Sequence, residues 1–102
     1  MLTLYFSPGA ASLCVHHLLI ELGIEHRLQR VDTSKGEQKS EAYLKLNPGG
    51  VVPTLLVDEV PMVESAAMLM WLAANDSQRR FAPAPGSAEE RLYLSWFLLL
   101  AN

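Results

Sequence analysis

The residue types best suited to ligand chemistry lie in two segments, Val52-Pro53 and Glu64-Ser65. Pro53 stands directly before the apolar run 54–57, which has the pattern of a strand. This position is unfavourable, because a proline has no N–H to donate to a sheet ladder. A bend at the start of that strand, with a cis Pro53 as one option, resolves the conflict and exposes the backbone polar groups of Val52 to an extended ligand. Glu64 and Ser65 would add a carboxylate, a hydroxyl and free helix N-terminal amides. Both residue types are also ordinary at a helix start, so this pair has a purely structural interpretation as well.

The junction between Phe6 and Cys14 is a second candidate site. A helix that begins there supplies unpaired amides and a partial positive charge, which stabilise a thiolate. Ser12 is placed to donate a hydrogen bond to such a thiolate, since a serine hydroxyl without a base is a weak nucleophile. Ser12 can equally be only the N-cap of the helix. Cys14 also has two interpretations, a reactive thiol or a small core residue.

No metal site is predicted from the histidines. His16 and His17 are adjacent in the first helix and point about 100° apart, so they cannot chelate one metal in the usual i, i+4 arrangement. His26 is an isolated residue of the second strand. We therefore expect all three to be ordinary structural residues.

Composition narrows the class of protein. The chain has 102 residues, about one domain, and half of them are hydrophobic. A net charge of −3 without a Lys or Arg cluster argues against a nucleic-acid partner. The lone Cys14 and the lack of a signal-peptide pattern predict a reducing, cytoplasmic location. The apolar stretch 92–101 is shorter than the roughly 20 residues of a membrane span, so no membrane partner is expected.

The elements that must position the candidate residues alternate in the order βαβαββα. Hydrophobic patterns and turn signals predict strands at 2–6, 25–31, 54–57 and 60–63, and helices at 12–22, 40–46 and 65–74. A polar loop is expected at 32–38, and Pro61 confines the last strand to a sheet edge. The helix from Ser65 is expected to present one shared face of Ala66, Leu69, Met70 and Ala73. This order predicts an α/β sheet layered with helices, in which the Pro53 bend, the hairpin of the last two strands and two helix starts lie at one sheet end.

A change in composition predicts a boundary after the third helix. Residues 75–86 are polar and then rich in proline, while Ser87 and Glu90 have the spacing of a capping box. The helix that follows is apolar almost all round and must be buried on several sides. We expect a domain at 1–80, a linker at 81–87, and at 88–102 the first helix of an all-helical second domain that continues beyond Asn102. Burial of this helix against a partner chain is the alternative.

Three segments resemble one known family. The segments 4–10 (Leu-Tyr-Phe-Ser-Pro-Gly-Ala), 47–55 (Asn-Pro-Gly-Gly-Val-Val-Pro-Thr-Leu) and Glu64-Ser65 are similar to the N-terminal thioredoxin-like domain of cytosolic glutathione S-transferases. The Ser-Pro-Gly-Ala opening is most similar to the bacterial beta class. The resemblance covers residues 1–80, and the helix from residue 88 is similar to the start of the family's second domain. It implies a glutathione transferase that takes glutathione as a co-substrate and needs no other cofactor.

The resemblance also implies roles for individual residues. Val52, before a cis Pro53, would pair its backbone with the cysteinyl unit of glutathione. Glu64 and Ser65 would hold the γ-glutamyl amine and carboxylate. Lys35 stands where the beta class often has a basic residue near the glycyl carboxylate. The family further implies a homodimer, a hydrophobic electrophile as second substrate and a role in detoxification.

Two departures from the beta class bear on catalysis. The position of its cysteine, immediately before Ser12, is Ala11, which excludes a mixed disulfide there. The position of its tyrosine is Phe6, while Tyr5 faces the opposite way. Ser12, or the helix N-terminus alone, is then left to activate the thiol. Cys14 lies where thioredoxins have the second cysteine of Cys-x-x-Cys, but without the first cysteine a glutaredoxin-like oxidoreductase is disfavoured.

Two functions of different classes therefore remain open. The first is a glutathione transferase. The second is a transferase-like binding or regulatory module that has lost catalysis. Ala11 and Phe6 favour the second, whereas Val52-Pro53, Glu64-Ser65 and Ser12 favour the first.

Overall fold

The chain folds as a four-stranded mixed sheet flanked by helices. A computed structural model describes residues 1–101, and Asn102, the end of the predicted 88–102 segment, lies outside that range. The strands are β1 Leu2–Phe6, β2 His26–Arg30, β3 Thr54–Val57 and β4 Val60–Met62. The α-helices are α1 Ser12–Glu21, α2 Glu41–Leu46, α3 Ser65–Ala74 and α4 Ala88–Ala101. The predicted βαβαββα order is confirmed, with α4 following it.

The direction of the strands brings the candidate loops to one end of the sheet. The strand order is β2-β1-β3-β4; β1 runs parallel to β2 and antiparallel to β3, and β3 runs antiparallel to β4. The carboxyl ends of β1, β2 and β4 therefore meet the amino end of β3. The segments that contain Ser12, Lys35, Pro53 and Glu64 all leave the sheet at this end. The predicted convergence of the Pro53 bend with two helix starts is confirmed. The prediction that the hairpin lies at this end is wrong, because β3 runs away from Pro53 and its turn into β4 falls at the opposite end of the sheet.

The core lies between one face of the sheet and helices α1 and α3. Each strand or helix contributes residues on its inward side, since side chains alternate along a strand and recur every three or four residues on a helix. Six core side chains are at most 1% exposed: Leu4, Val15, Leu19, Leu55, Met68 and Leu72. Phe6 packs against this cluster, while Tyr5 points to the other face and contacts Tyr43.

The face predicted for α3 is confirmed only in part. Ala73 is buried and Leu69 packs half-buried against the core, but the fully buried side chains of the inward side are Met68 and Leu72, which were not predicted. Helix α3 is apolar almost all round, so its hydrophobic pattern does not select one side. The position of α1 and of the sheet decides which residues are covered.

The loop expected at 32–38 contains two short 3₁₀ turns, Thr33–Lys35 and Glu37–Lys39. The Asp32 carboxylate accepts a hydrogen bond from the Ser34 N–H at 3.1 Å and also bonds the Ser34 hydroxyl. These bonds lower the pKa of Asp32. The loop is therefore more regular than its polar composition suggests, because Asp32 caps its first turn.

The β3–β4 hairpin forms although its turn lacks glycine. Asp58 and Glu59 have φ of 47° and 71°, the positive values that a type I′ turn needs at both central positions. Pro61 lies on β4, which is the edge strand, as its missing N–H predicts.

The segment after α3 leads into the capping box of α4. Ser87 Oγ accepts from the Glu90 N–H at 3.1 Å, and the Glu90 carboxylate accepts from the Gly86 N–H at 2.9 Å. Within residues 1–101, the large apolar side chains of α4 stay mostly exposed, among them Leu92, Trp96 and Leu99. No helix in this part of the chain has the length and apolar character needed to cross a membrane.

Candidate functional site

The peptide bond between Val52 and Pro53 is cis, which is the option left open by the residues and the one that the resemblance implies. Pro53 is buried and Val52 is half-buried. Thr54, the next residue, begins β3 and pairs with Tyr5 on β1. The backbone of Val52 thus lies at the sheet end where the loops converge.

A set of polar side chains that the sequence did not single out holds this segment. Tyr43 of α2 donates from its hydroxyl to the Val51 carbonyl oxygen at 2.7 Å, and Asn47 Nδ2 donates to the same oxygen at 3.0 Å. Thr54 Oγ1 lies 2.7 Å from the Tyr43 hydroxyl and accepts from Asn47 Nδ2 at 3.2 Å. In the sequence, Asn47 before Pro-Gly-Gly indicates only a helix stop. Its spacing from Tyr43, one helical turn, was the available signal.

Glu64 has a backbone conformation that side chains rarely adopt. Its φ of 73° and ψ of 109° place it in a disfavoured region, and it occupies the N-cap position of α3 without capping the helix through its side chain. Such strain is typical of functional sites. Glu64 is exposed and Ser65 is half-buried. The Glu64 carboxylate is therefore exposed at a helix start that its own side chain does not cap.

Ser12 is not the N-cap of α1, so that interpretation is wrong. The N-cap residue is Ala11, which makes no side-chain cap hydrogen bond, and Ser12 is the first helical residue. Ser12 is 1% exposed. Its hydroxyl donates to the Ser7 carbonyl at 3.1 Å and accepts from the Ser7 N–H at 3.3 Å. The hydroxyl thus closes the β1–α1 junction, and its catalytic role stays a prediction.

Cys14 is exposed, so the interpretation as a small core residue is wrong. Its Sγ donates to the Ala11 carbonyl at 3.0 Å. A small cavity of about 130 Å³ lies beside the same junction and is lined by Phe6, Ser12, Leu13 and His16, among others. The helix start therefore borders a mostly apolar hollow.

His26 is not isolated, contrary to the expectation. Its ring packs edge-on against His16, with centroids 5.5 Å apart, and its Nδ1 lies 2.8 Å from the Ile24 carbonyl oxygen. Over residues 1–101, no group of three or more His, Cys, Asp or Glu side chains has the arrangement of a metal site.

Lys39, and not only the predicted Lys35, is a basic residue of this part of the fold. Lys35 is exposed in the first 3₁₀ turn. Lys39 Nζ reaches across to the Gly49 carbonyl at 3.5 Å. A Cβ on Gly50, whose φ is 62°, would lie 2.7 Å from that Nζ. Lys39 therefore packs on the turn that precedes Val52. The sequence did not indicate this contact, because the lysines of this segment alternate with acidic residues, as ordinary surface charges do.

A larger cavity than the hollow beside α1 lies away from the predicted site residues. It measures about 400 Å³ and occupies the α2 face of the sheet, where Tyr5, Arg30, Glu37 and Tyr43 contribute to its walls. The backbone of Val52 and the start of α3 do not line it. The candidate site is therefore identified by the strand order and the cis peptide bond, and not by the volume of a cavity.

Comparison with known proteins identifies the family. Residues 10–75 match the family model described as glutathione S-transferase, N-terminal domain. The chain is 41% identical over 70 residues to glutathione S-transferase GST-4.5 of Xanthomonas campestris, which covers 69% of this chain and 33% of that protein. It is 31% identical to GstA of Escherichia coli O157:H7 over 97% of this chain and 50% of that protein.

Solved structures give the same answer for the fold. A glutathione transferase from Methylococcus capsulatus superposes with a TM-score of 0.90 at 30% identity, covering 100% of this chain and 51% of that one. A glutathione transferase homologue from Sulfitobacter with bound glutathione superposes with a TM-score of 0.82 at 34% identity, covering 97% and 49%. The chain thus spans half or less of the length of the curated relatives compared here. Its α/β fold is thioredoxin-like, and the chain belongs to the glutathione S-transferase family, with residues 10–75 in the N-terminal domain.

Proposed function

We propose that this chain is the glutathione-binding part of a glutathione transferase, which conjugates the glutathione thiolate to a small hydrophobic electrophile. The observation that carries the proposal is the convergence of the cis Val52-Pro53 segment with the strained Glu64 and the uncapped start of α3. A tripeptide that carries an amine and two carboxylates matches these groups. The homologue from Sulfitobacter was solved with glutathione bound, which supports the same ligand class here.

The proposed contacts divide glutathione among three segments. Val52 would pair its backbone with the cysteinyl unit, and Glu64 with Ser65 would hold the γ-glutamyl end. Lys35 would face the glycyl carboxylate. Residues 1–80 would form this domain, with 81–87 as a linker and 88–102 as the start of the helical second domain. The exposed apolar side chains of α4 support that division.

The proposal extends to the whole protein through its family. By its similarity to cytosolic members of the family, the whole protein would be a cytoplasmic homodimer that acts in detoxification. It would use glutathione as co-substrate without a further cofactor. The second substrate would be a hydrophobic electrophile. These points are tested on the full-length protein, by its oligomeric state in solution and by its turnover of aromatic electrophiles.

A binding module that has lost catalysis is the competing function, and one observation favours it. The single proton of the Ser12 hydroxyl is donated to the Ser7 carbonyl, so it is not available to a thiolate in this rotamer. Ala11 and Phe6 also lack the groups of the beta class.

Retention of the full-length protein on immobilised glutathione tests the binding proposal. We expect retention and specific elution by free glutathione at millimolar concentration. No binding at that concentration contradicts both the site and the transferase. Binding without turnover of any aromatic electrophile selects the module.

Replacing Ser12 by alanine tests the catalytic proposal. If the hydroxyl stabilises the bound thiolate, turnover of a generic aromatic electrophile falls about tenfold to a hundredfold, the effect of one hydrogen bond to a charged group. The variant also loses about 1 kcal/mol of stability, because the Ser7 backbone loses a partner. Ser87→Ala is the control, since that hydroxyl caps α4 instead. Unchanged turnover in a folded Ser12→Ala protein rejects the serine and leaves the α1 N-terminus alone.

A further inference from the structure

The hydrogen bonds around Val51 form a closed set in which every proton can be assigned. A carbonyl oxygen only accepts, and an amide nitrogen only donates. The Asn47 side chain is oriented by the Gly49 N–H, which donates to its Oδ1 at 3.0 Å. Its Nδ2 protons therefore go to the Val51 oxygen and to Thr54 Oγ1.

The direction of the remaining bond follows from the proton count. Tyr43 has one hydroxyl proton, and it goes to the Val51 oxygen at 2.7 Å. The 2.7 Å contact between Tyr43 and Thr54 must then be a donation from Thr54 to Tyr43. Asn47, Thr54 and Tyr43 thus complete a ring on the Val51 carbonyl, with no donor left over.

Burial makes this ring rigid. Tyr43 is 5% exposed, Asn47 4% and Thr54 0%. Buried polar groups are costly when unpaired, so these groups favour the one arrangement in which all are paired. Burial also raises the pKa of Tyr43 above its ordinary value, which is already well above neutral pH, so the hydroxyl keeps its proton.

A fixed Val51 carbonyl determines the direction of the next N–H. The Val51 C=O and the Val52 N–H belong to one planar peptide unit and point to opposite sides of it. Because Tyr43 and Asn47 hold the oxygen, the Val52 N–H points away from α2. In the proposed function, that N–H belongs to the backbone that pairs with the cysteinyl unit.

We propose that Tyr43 is a positioning residue for glutathione: its hydroxyl, acting through the Val51 carbonyl, aims the Val52 N–H at the ligand. This inference rests on the proposed function. Because the hydroxyl acts through the Val51 carbonyl, its effect must appear first in the free protein, at the Val52 amide. The same change must then appear in the affinity for glutathione.

The test compares Tyr43→Phe with a matched control in the full-length protein. Tyr5→Phe removes the same atom from a ring that packs against Tyr43 at 5.9 Å between centroids but lies outside the hydrogen-bond ring. Amide exchange and chemical shift of Val52 are measured by NMR without ligand, and the Kd for glutathione is measured by calorimetry. We expect Tyr43→Phe to speed Val52 exchange and raise the Kd by about fivefold to tenfold, the effect of one buried hydrogen bond. Tyr5→Phe should change neither.

The outcomes separate the two proposals. An unchanged Val52 amide, or an unchanged Kd beside a changed amide, overturns the positioning role of Tyr43. A wild-type protein that binds no glutathione overturns the proposed function and with it the ligand part of this inference, while the Val52 amide still decides whether Tyr43 orders that peptide. If Tyr43→Phe does not fold, Thr54→Val removes the donor to Tyr43 with little change of shape. We expect Thr54→Val to raise the Val52 amide exchange rate and the Kd for glutathione by about threefold each. If neither quantity changes, the hydrogen-bond ring does not position the Val52 N–H.

Discussion

Replacing Glu64 by glutamine is expected to weaken glutathione binding about tenfold to a hundredfold, the effect of losing a charged hydrogen-bond partner. Glutamine keeps the length and the backbone conformation, so the free energy of unfolding should change by less than about 0.5 kcal/mol. The carboxylate is exposed at the start of α3 and is not used to cap that helix. Titration calorimetry with glutathione and urea unfolding measure the two quantities.

Glu64→Gly is expected to change stability and binding in opposite directions. Glycine adopts positive φ without the steric cost that a side chain carries, so the variant should gain about 1 kcal/mol of stability after its greater unfolded-state entropy is counted. It should lose at least as much affinity as Glu64→Gln. If Glu64 is a binding residue held in a strained conformation, stability rises and affinity falls in this variant. If Glu64 has only a structural role, glutathione binding does not weaken.

Glu59 supplies the matched control for both variants. It is an exposed glutamate with φ of 71°, but it lies in the β3–β4 turn, at the end of the sheet opposite to the candidate site. Glu59→Gln and Glu59→Gly should leave glutathione binding unchanged. Equal losses of affinity at positions 59 and 64 would show a general charge effect, and wild-type affinity in Glu64→Gln would remove Glu64 from the site.

Replacing Leu19 by alanine should reduce the free energy of unfolding by about 3 kcal/mol, within the range measured for buried leucines. Leu19 is 0% exposed and belongs to the cluster that joins α1, α3 and the sheet. A cavity there removes contacts on several sides, since the neighbouring elements cannot all close in. Such a loss is a large share of the roughly 5–15 kcal/mol that a domain has in total.

Ile20→Ala is the control for this prediction, because Ile20 is the next residue of the same helix and is 57% exposed. Ile20→Ala should reduce the free energy of unfolding by no more than about 0.5 kcal/mol. The difference is measured by urea unfolding of the 102-residue chain. The two variants are compared with the same slope of unfolding free energy against urea concentration. A loss below about 1 kcal/mol for Leu19→Ala would contradict the core assignment, and equal losses at 19 and 20 would contradict the orientation of α1.

Local sequence patterns predicted the elements well. Strand β1 at Leu2–Phe6, helix α3 at Ser65–Ala74 and the cis bond before Pro53 are found where the sequence places them. These features depend on turn residues, capping residues and short hydrophobic runs, whose effects extend over a few neighbours. The Ser87–Glu90 capping box is another such case.

Predictions that needed a partner from elsewhere in the chain were less successful. Ser12 has the residue type of an N-cap, yet its hydroxyl bonds the backbone of Ser7. Cys14 is as apolar as many core residues, yet it lies on the exposed side of α1. The covered face of α3 was predicted only in part, since Met68 and Leu72 were missed. In each case the helix itself was predicted, and its rotation against the sheet was not.

The sequence by itself determined the family, the order of the elements and the two segments that the proposed function assigns to glutathione, because these are carried by local motifs. Only the tertiary structure decided how the Val52 backbone is held. Tyr43 and Asn47 are one helical turn apart, but their shared target is the carbonyl of Val51, and Thr54 joins them from the sheet. That spacing is the one local sign of the ring, and it does not name the target, because the hydrogen bonds form only when α2 packs beside the start of β3.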